Sequence, residues 1–403
     1  VQEHKPLMGI FITASHLSKP KDIIVRGFKV AMLNRKGGAL QSLSTKEIKQ
    51  ASLSKIIDII THPEKIQELK SQTPGAYTTA DIEVNCIRMN SLIGRVASKE
   101  DRTDNLYALA REIASSDNPL EVLIAWENKF GSDQPLKGMK LVVEGAHTPS
   151  GRLAAQTFGA LGAQAVLLNG DIQEVEGEHK ADPSVGANLE ELRQAIEKEN
   201  ADFGIAFDLD GDRGAIVVPL RVDGKIASFE TLSPDNIIVV LLPYLIQKWG
   251  YDPKDTGRQV GVIRDVLGTF GVNNIAQRLN IETFQTDAGY VFLKAKRSQL
   301  LDQNYIIPVY GERSGHCWLD VTGEIENPIA VAVLFAVMVK KERYQDDVTA
   351  SQNPVLETFN EKNIPYAQSP RFQPDFAPEL LAILSADPRN DTGWKYEAAS
   401  TVK

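Results

Sequence analysis

Cysteine is almost missing from this 403-residue chain: Cys86 and Cys317 are the only two, and they lie far apart. That excludes a disulfide scaffold and fits a reducing, cytoplasmic compartment. Long apolar runs are missing as well. The longest, Ile237 to Ile246 with Pro243 inside it and Ile329 to Val339, are too short to span a bilayer, so no membrane partner is expected. No secretory signal is visible. Positive charge is scarce: 44 Lys and Arg stand against 53 Asp and Glu, the net charge is −9, and no basic cluster interrupts it. Nucleic acid is therefore not an expected partner, and any phosphate must be bound by local donors. The chain opens on Val1, not methionine, so a targeting segment could lie upstream.

What is present is ordinary for a soluble globular protein, with 42% hydrophobic and 24% charged residues. The length suggests about two to four domains. Up to about Pro119 the chain offers an apolar strand, Met8 to Ile12, and helical-looking polar stretches, Ser44 to Ile60 and Asp101 to Ser115. From Pro119 the pattern alternates. Helix (Leu120 to Phe130), strand (Met139 to Val143), helix (Arg152 to Leu161), strand (Ala165 to Leu168) and helix (Asn188 to Glu199) lead to a strand ending at Phe207. The alternation recurs with helix Asp235 to Trp249, strand Val260 to Ile263, helix Phe270 to Leu279, strand Ile281 to Phe284, strand Tyr305 to Tyr310 and helix Pro328 to Val339. This is an α/β pattern, two similar modules in tandem around mostly parallel sheets. After Tyr344 prolines accumulate, which reads as a connector with one short helix, Pro378 to Leu384.

Three motifs carry chemistry. In Phe207-Asp208-Leu209-Asp210-Gly211-Asp212-Arg213, three carboxylates alternate between two apolar runs, a strand, sharp turn and strand. Like charges crowded there repel, and a divalent cation with oxygen ligands, Mg²⁺ best, relieves them. An EF-hand is excluded, since its sixth and twelfth positions are Arg213 and Pro219. An Asp-nucleophile phosphatase signature fits Phe207 to Gly211 but not the Asp212-Arg213 that follows, and a solvated acidic turn is the plain alternative. The second motif is Thr13-Ala14-Ser15-His16 at the exit of the first strand, where ligands of α/β folds bind, with Arg26 and Lys29 downstream. The third is Gly311-Glu312-Arg313-Ser314-Gly315-His316. Glu312 and Ser314 would point the same way towards vicinal sugar hydroxyls, and His316 can act as an acid or base. Taken singly, the second is an ordinary turn serine and the third a hairpin turn.

Together, in this order, they resemble the α-D-phosphohexomutase family, whose members carry a Thr-Ala-Ser-His-Asn-Pro serine loop, an Asp-x-Asp-x-Asp-Arg metal loop and a Gly-Glu-x-Ser-Gly-His sugar loop. The resemblance spans about Gly9 to Val339. It implies tandem α/β/α modules with mixed sheets. Residues 1–118 would be domain I, 119–222 domain II, 223–345 domain III, and 346–403 a linker towards an absent fourth domain. It implies a phosphorylated Ser15, Mg²⁺ held by Ser15, Asp208, Asp210 and Asp212, and Arg213 and Lys29 steadying the phosphoryl group. Glu312, Ser314 and His16 would bind a hexose phosphate, and His316 would assist proton transfer.

The implied reaction interconverts hexose 1- and 6-phosphates through a bisphosphate. Departures keep two alternatives open: a mutase-like protein that binds without catalysing, and a phosphatase using Asp208. Leu17-Ser18 replaces the family's Asn-Pro, and Val291 replaces a third-domain lysine for which Lys294 or Lys296 is the candidate substitute. The phosphate clamp of the fourth domain is absent. The hexose stays open, with the histidine of the sugar loop leaning towards mannose, dual-specificity or glucosamine substrates.

Overall fold

A computed structural model describes residues 8–13, 27–32, 62, 82–99, 101, 103–171, 182–222, 224–323 and 325–345. All belong to the first of the chain's two units, Val1–Ala367. Strand β1 (Met8–Thr13) pairs antiparallel with β2 (Gly27–Met32), Thr13 opposite Gly27 and Phe11 opposite Lys29. Three helices follow: α1 (Ile82–Lys99), α2 (Leu106–Ser115) and α3 (Pro119–Phe130). Helix α2 starts later than the sequence pattern predicts. The Asp101 carboxylate accepts the Thr103 and Asp104 amides and holds a turn, and Asn105 caps the helix by accepting the Ala108 amide at 2.9 Å.

The next stretch alternates as expected: β3 (Lys140–Glu144), α4 (Pro149–Ala160), β4 (Gln164–Leu168), α5 (Glu190–Glu199) and β5 (Phe203–Phe207). Two strands, β6 (Gly214–Val222) and β7 (Lys225–Leu232), then turn back as a hairpin. The sheet order is β4-β3-β5-β6-β7, parallel through β5 and antiparallel beyond it. The sheet is mixed, not mostly parallel. The reason is local: the tight turn at Gly211 sends the chain straight back beside β5, with no crossover helix.

The second α/β stretch contains α6 (Pro234–Gln247), the short α7 (Pro253–Thr256), β8 (Gln259–Asp265), α8 (Gly271–Arg278), β9 (Glu282–Thr286) and α9 (Tyr290–Asp302). It ends with β10 (Tyr305–Ile306), β11 (Val309–Gly311), β12 (Cys317–Leu319) and α10 (Pro328–Gln345). The expected single strand from Tyr305 to Tyr310 is two short ones, because Pro308 has no amide hydrogen to give a ladder. β8 pairs in parallel with β9, β10 and β11, and β12 closes the edge antiparallel to β11.

Helices α6 and α10 are buried over most of their lengths, which explains why they read as continuous apolar runs and not as one-sided stripes. Phe335 of α10 meets Phe203 of β5 edge to face, ring centres 5.3 Å apart, and Phe203 meets Phe158 of α4 at 6.3 Å. α10 also packs against α6 and β12, so one core serves both sheets. Each such fully buried side chain contributes about 1.5–3 kcal/mol through apolar area removed from water. No described helix is long and apolar enough to cross a membrane.

Candidate functional site

The parallel strands of both sheets end on loops that carry the chemistry-bearing residues, as α/β sheets tend to. Asp208 follows β5 directly, and Glu312 follows β11. In the first loop Gly211 sits at φ +69°, a left-handed conformation that glycine takes freely. The Gly211 amide bonds the Asp208 carbonyl at 3.2 Å, and the Asp208 amide bonds the Arg213 carbonyl at 3.3 Å. The turn is thus closed, and one carboxylate oxygen from each of Asp208, Asp210 and Asp212 gathers within 4.8 Å. Asp208 is fully buried and the other two are half-buried. Ser150, at the start of α4, presses against Gly211. The β3–α4 turn behind it holds Ala146 and His147 at φ +49° and +58°, a strained pairing that sits beside the site.

Arg213 ties the acid loop to the second loop. Its Nε donates to Asp208 Oδ2 at 2.7 Å, and its backbone amide donates to Asp208 Oδ1 at 3.2 Å. Its Nη1 donates to the Ser314 carbonyl at 3.1 Å and reaches Asp182 Oδ1 at 3.4 Å. The Gly214 amide bonds the Gly315 carbonyl at 3.3 Å, and Arg213 and His316 form an antiparallel bridge. Gly315, at φ +127°, makes this approach work: a Cβ there would lie 2.7 Å from Arg213 Cβ. Arg213 is only 3% exposed, and its Nη2 has no hydrogen-bond partner among the described residues. A buried guanidinium nitrogen left open beside three carboxylates is a ready donor to an anion.

The second loop is a hairpin turn between β11 and β12, as the plain alternative foresaw, and it is also organised. The Ser314 hydroxyl donates to Glu312 Oε1, so both groups face one direction. His316 lies between the loops, its Nε2 3.8 Å from Glu312 and its Nδ1 3.9 Å from Asp212. Its ring stacks on Trp318 at 5.8 Å and meets Tyr290 at the same distance.

The structure therefore brings together Asp208, Asp210, Asp212, Arg213, Glu312, Ser314 and His316. Ser15 and His16 lie outside the described residues, and Lys29 is described only as a backbone position in β2, opposite Phe11. Of the two lysines weighed for the third module, Lys294 is at the site. It pairs with Glu326 at 3.1 Å and lies over the rings of Tyr290 and Trp318. Lys296 turns away, over Phe284. Asp182, Ser150, Tyr290, Trp318 and Asp265 were not foreseen. Asp265 had a signal: extending the expected strand by two residues would have placed it at the ligand edge.

The electrostatics fit a cation. Burial first, then the charges of Asp212 and Asp210, push the Asp208 carboxyl up to about 7, against the pull of Arg213. All the donors are oxygens, which suits Mg²⁺. A carboxyl raised this way favours the fold at low pH, and that contribution is lost as pH rises from about the unfolded value of 3.8 towards 7. Magnesium should therefore raise the unfolding temperature more at pH 8 than at pH 5. Equal shifts, measured by differential scanning fluorimetry with and without EDTA, would exclude this account.

Known proteins resemble this chain in sequence and in fold. The family description "Phosphoglucomutase/phosphomannomutase, alpha/beta/alpha domain II" matches residues 124–221. Phosphoglucosamine mutase of Shewanella sediminis is 26% identical over 248 residues, covering 60% of this chain and 50% of that protein. Phosphoglucosamine mutase of Clostridium acetobutylicum is 30% identical over 220 residues, covering 54% and 43%. The chain thus spans about half the length of these curated relatives or less. Among solved structures, a phosphoglucomutase/phosphomannomutase family protein of Burkholderia thailandensis superposes with a TM-score of 0.61 at 20% identity, covering 95% of this chain and 64% of that one. N-acetylphosphoglucosamine mutase of Aspergillus fumigatus, in complex with GlcNAc-6P and magnesium, superposes with a TM-score of 0.52 at 13% identity, covering 90% and 73%. At these identities the likeness is one of fold.

Proposed function

We propose that this chain, which is similar to the phosphoglucomutase/phosphomannomutase domain II over residues 124–221 and to curated phosphoglucosamine mutases over about half their length, acts as an intramolecular phosphotransferase that interconverts hexose 1- and 6-phosphates. One observation carries the reading. Arg213 joins the acid loop to the sugar-type loop and keeps one buried nitrogen open for an anion. Asp208, Asp210 and Asp212 would hold Mg²⁺, which when bound neutralises developing charge on a phosphoryl group.

The chain's own groups divide the rest of the work. Phosphorylated Ser15 is the donor. A sugar hydroxyl oxygen attacks phosphorus in line, the bond from phosphorus to the serine oxygen breaks, and the hydroxyl proton leaves towards His316. Glu312 and Ser314 accept or donate to vicinal sugar hydroxyls and fix the attacking oxygen, a positioning effect that dominates in phosphoryl transfer. Arg213 steadies the moving phosphoryl group, with Lys29 as a second cation. Lys294, paired with Glu326 and lying over Trp318, would take the part of the third-module lysine. The bisphosphate then turns over and returns its other phosphoryl group to Ser15. Domain I would supply the serine, residues 119–222 the acid loop and residues 223–345 the sugar loop. Glucosamine phosphates are the first substrates to assay, given the curated relatives.

The phosphatase alternative has less support. A nucleophilic carboxylate needs access, and Asp208 is fully buried with both oxygens bonded to Arg213. The two readings part on one measurement. After incubation with glucose 1,6-bisphosphate and Mg²⁺, intact mass should show a species heavier by about 80 Da, one phosphoryl group, localised by fragmentation to Ser15. A label on Asp208, or none, overturns the proposal.

A further inference from the structure

Strand β8 ends in Asp265, and its neighbour β11 ends in Gly311, which pairs with Arg264 in parallel register. The next residues along, Asp265 and Glu312, therefore stand side by side where both strands open. Asp265 is only 3% exposed. The Gly268 amide bonds its backbone carbonyl at 3.2 Å, the amides of Gly268 and Leu267 pull its pKa down, and its Oδ1 has no hydrogen-bond partner among the described residues. The charged groups around it do not satisfy that oxygen. Glu312 from β11 and Asp235 from the first turn of α6 are both acids and raise its pKa, after burial itself. The Arg264 guanidinium is taken up by Asn273, Gln285 and the carbonyls of Asp265 and Gly268. Among the described residues, three acidic side chains fall within metal-holding distance only at Asp208, Asp210 and Asp212, so Asp265 is not part of a second metal set.

A desolvated acceptor with no partner is costly, and native folds keep one where something else supplies the donor. Glu312, one half of the Glu312–Ser314 pair suited to sugar hydroxyls, is among its neighbours. We propose that Asp265 is a specificity-determining residue of the sugar site. Its Oδ1 accepts a hydrogen bond from a ring hydroxyl of the hexose phosphate other than those taken by Glu312 and Ser314. This rests on the mutase reading above and adds a residue to it. The acceptor is present while the carboxyl is ionised, so sugar binding weakens as pH falls below the value of about 6 to which burial and Glu312 push it.

Titration calorimetry with Mg²⁺ present tests the assignment. The probes are glucosamine 6-phosphate, glucose 6-phosphate, its 3-deoxy and 4-deoxy analogues, and inorganic phosphate. Asp265→Asn keeps the size and removes the charge, and the Gly268 amide keeps its bond to the backbone carbonyl. It should weaken the hexose phosphates by about tenfold or more, the loss of a hydrogen bond to a charged group, and leave inorganic phosphate unchanged. For the one deoxy sugar that lacks the hydroxyl read by Asp265, wild type and variant should bind alike, the mark of a direct pairing. If Asp265→Asn does not fold, Asp265→Ser carries the same expectations.

Variants that match a wild type able to bind hexose phosphates overturn the role of Asp265 alone. So does equal weakening of inorganic phosphate, or a penalty that persists with every deoxy sugar. A wild type that binds no hexose phosphate overturns the mutase reading, and this inference with it.

Discussion

Replacing Arg213 with methionine should lower stability and almost abolish phosphoryl transfer, and the stability loss should grow with pH. Arg213 is buried, its Nε lies 2.7 Å from the fully buried Asp208, and it reaches the Ser314 carbonyl of the other loop. Breaking a buried pair from one side typically costs about 3–5 kcal/mol, because the remaining charge is stranded. Here the loss has an escape. Asp208 is already held up to about 7, so without arginine it simply stays protonated. Below that value both proteins fold with a neutral Asp208, and the difference is packing and hydrogen bonds. Above it, the wild type ionises Asp208 beside arginine and the variant cannot. Urea unfolding in EDTA should show a deficit of about 1 kcal/mol at pH 5 and about 3 kcal/mol at pH 8. The same deficit at both values would show that the pair is not the source. In the mutase assay an arginine on the transferring group is worth about 10³-fold or more. A variant within tenfold of wild type would place Arg213 outside the chemistry.

The acid turn was legible because its signals are local: apolar strands on both sides, a glycine where φ must be positive, and carboxylates too close to lack a purpose. The hairpin of Glu312 to His316 was legible for the same reason. Their meeting was not, since Arg213 and Ser314 are 101 residues apart and the core that the two sheets share is built from segments distant in sequence. Helix α9 escaped notice because its aromatics defeat the usual pattern. Tyr290 and Phe292 are exposed, Tyr290 against His316 of the site, while Leu293 and Leu300 are buried. Strand β7 escaped because it is an outer strand with few buried residues. Asp265 hid behind a strand read two residues too short, and Ser150 behind a helix that begins at Pro149, earlier than periodicity implied.

Ser150 leads to the second large effect, Gly211→Ala. At φ +69° an alanine costs about 1–2 kcal/mol by backbone strain alone. Its Cβ would also lie 1.9 Å from Ser150 Oγ and 3.0 Å from Ser150 Cβ. The hydroxyl can rotate away, but the backbone behind it cannot retreat, because a Cβ at the adjoining Gly151 would sit 2.3 Å from Gly145 Cα. The acid loop must give way instead, and its three oxygens leave the common 4.8 Å cluster. Gly211→Ala should therefore weaken Mg²⁺ binding by about 100-fold, which is about 2.8 kcal/mol at about 1.4 kcal/mol per factor of ten. Adding Ser150→Ala removes the nearer obstruction and should restore about half of that in free energy, leaving the strain of the turn. Mg²⁺ titration of the thermal midpoint measures both. If Gly211→Ala binds Mg²⁺ as tightly as wild type, the cation is held elsewhere. If Ser150→Ala restores nothing, α4 does not brace the loop.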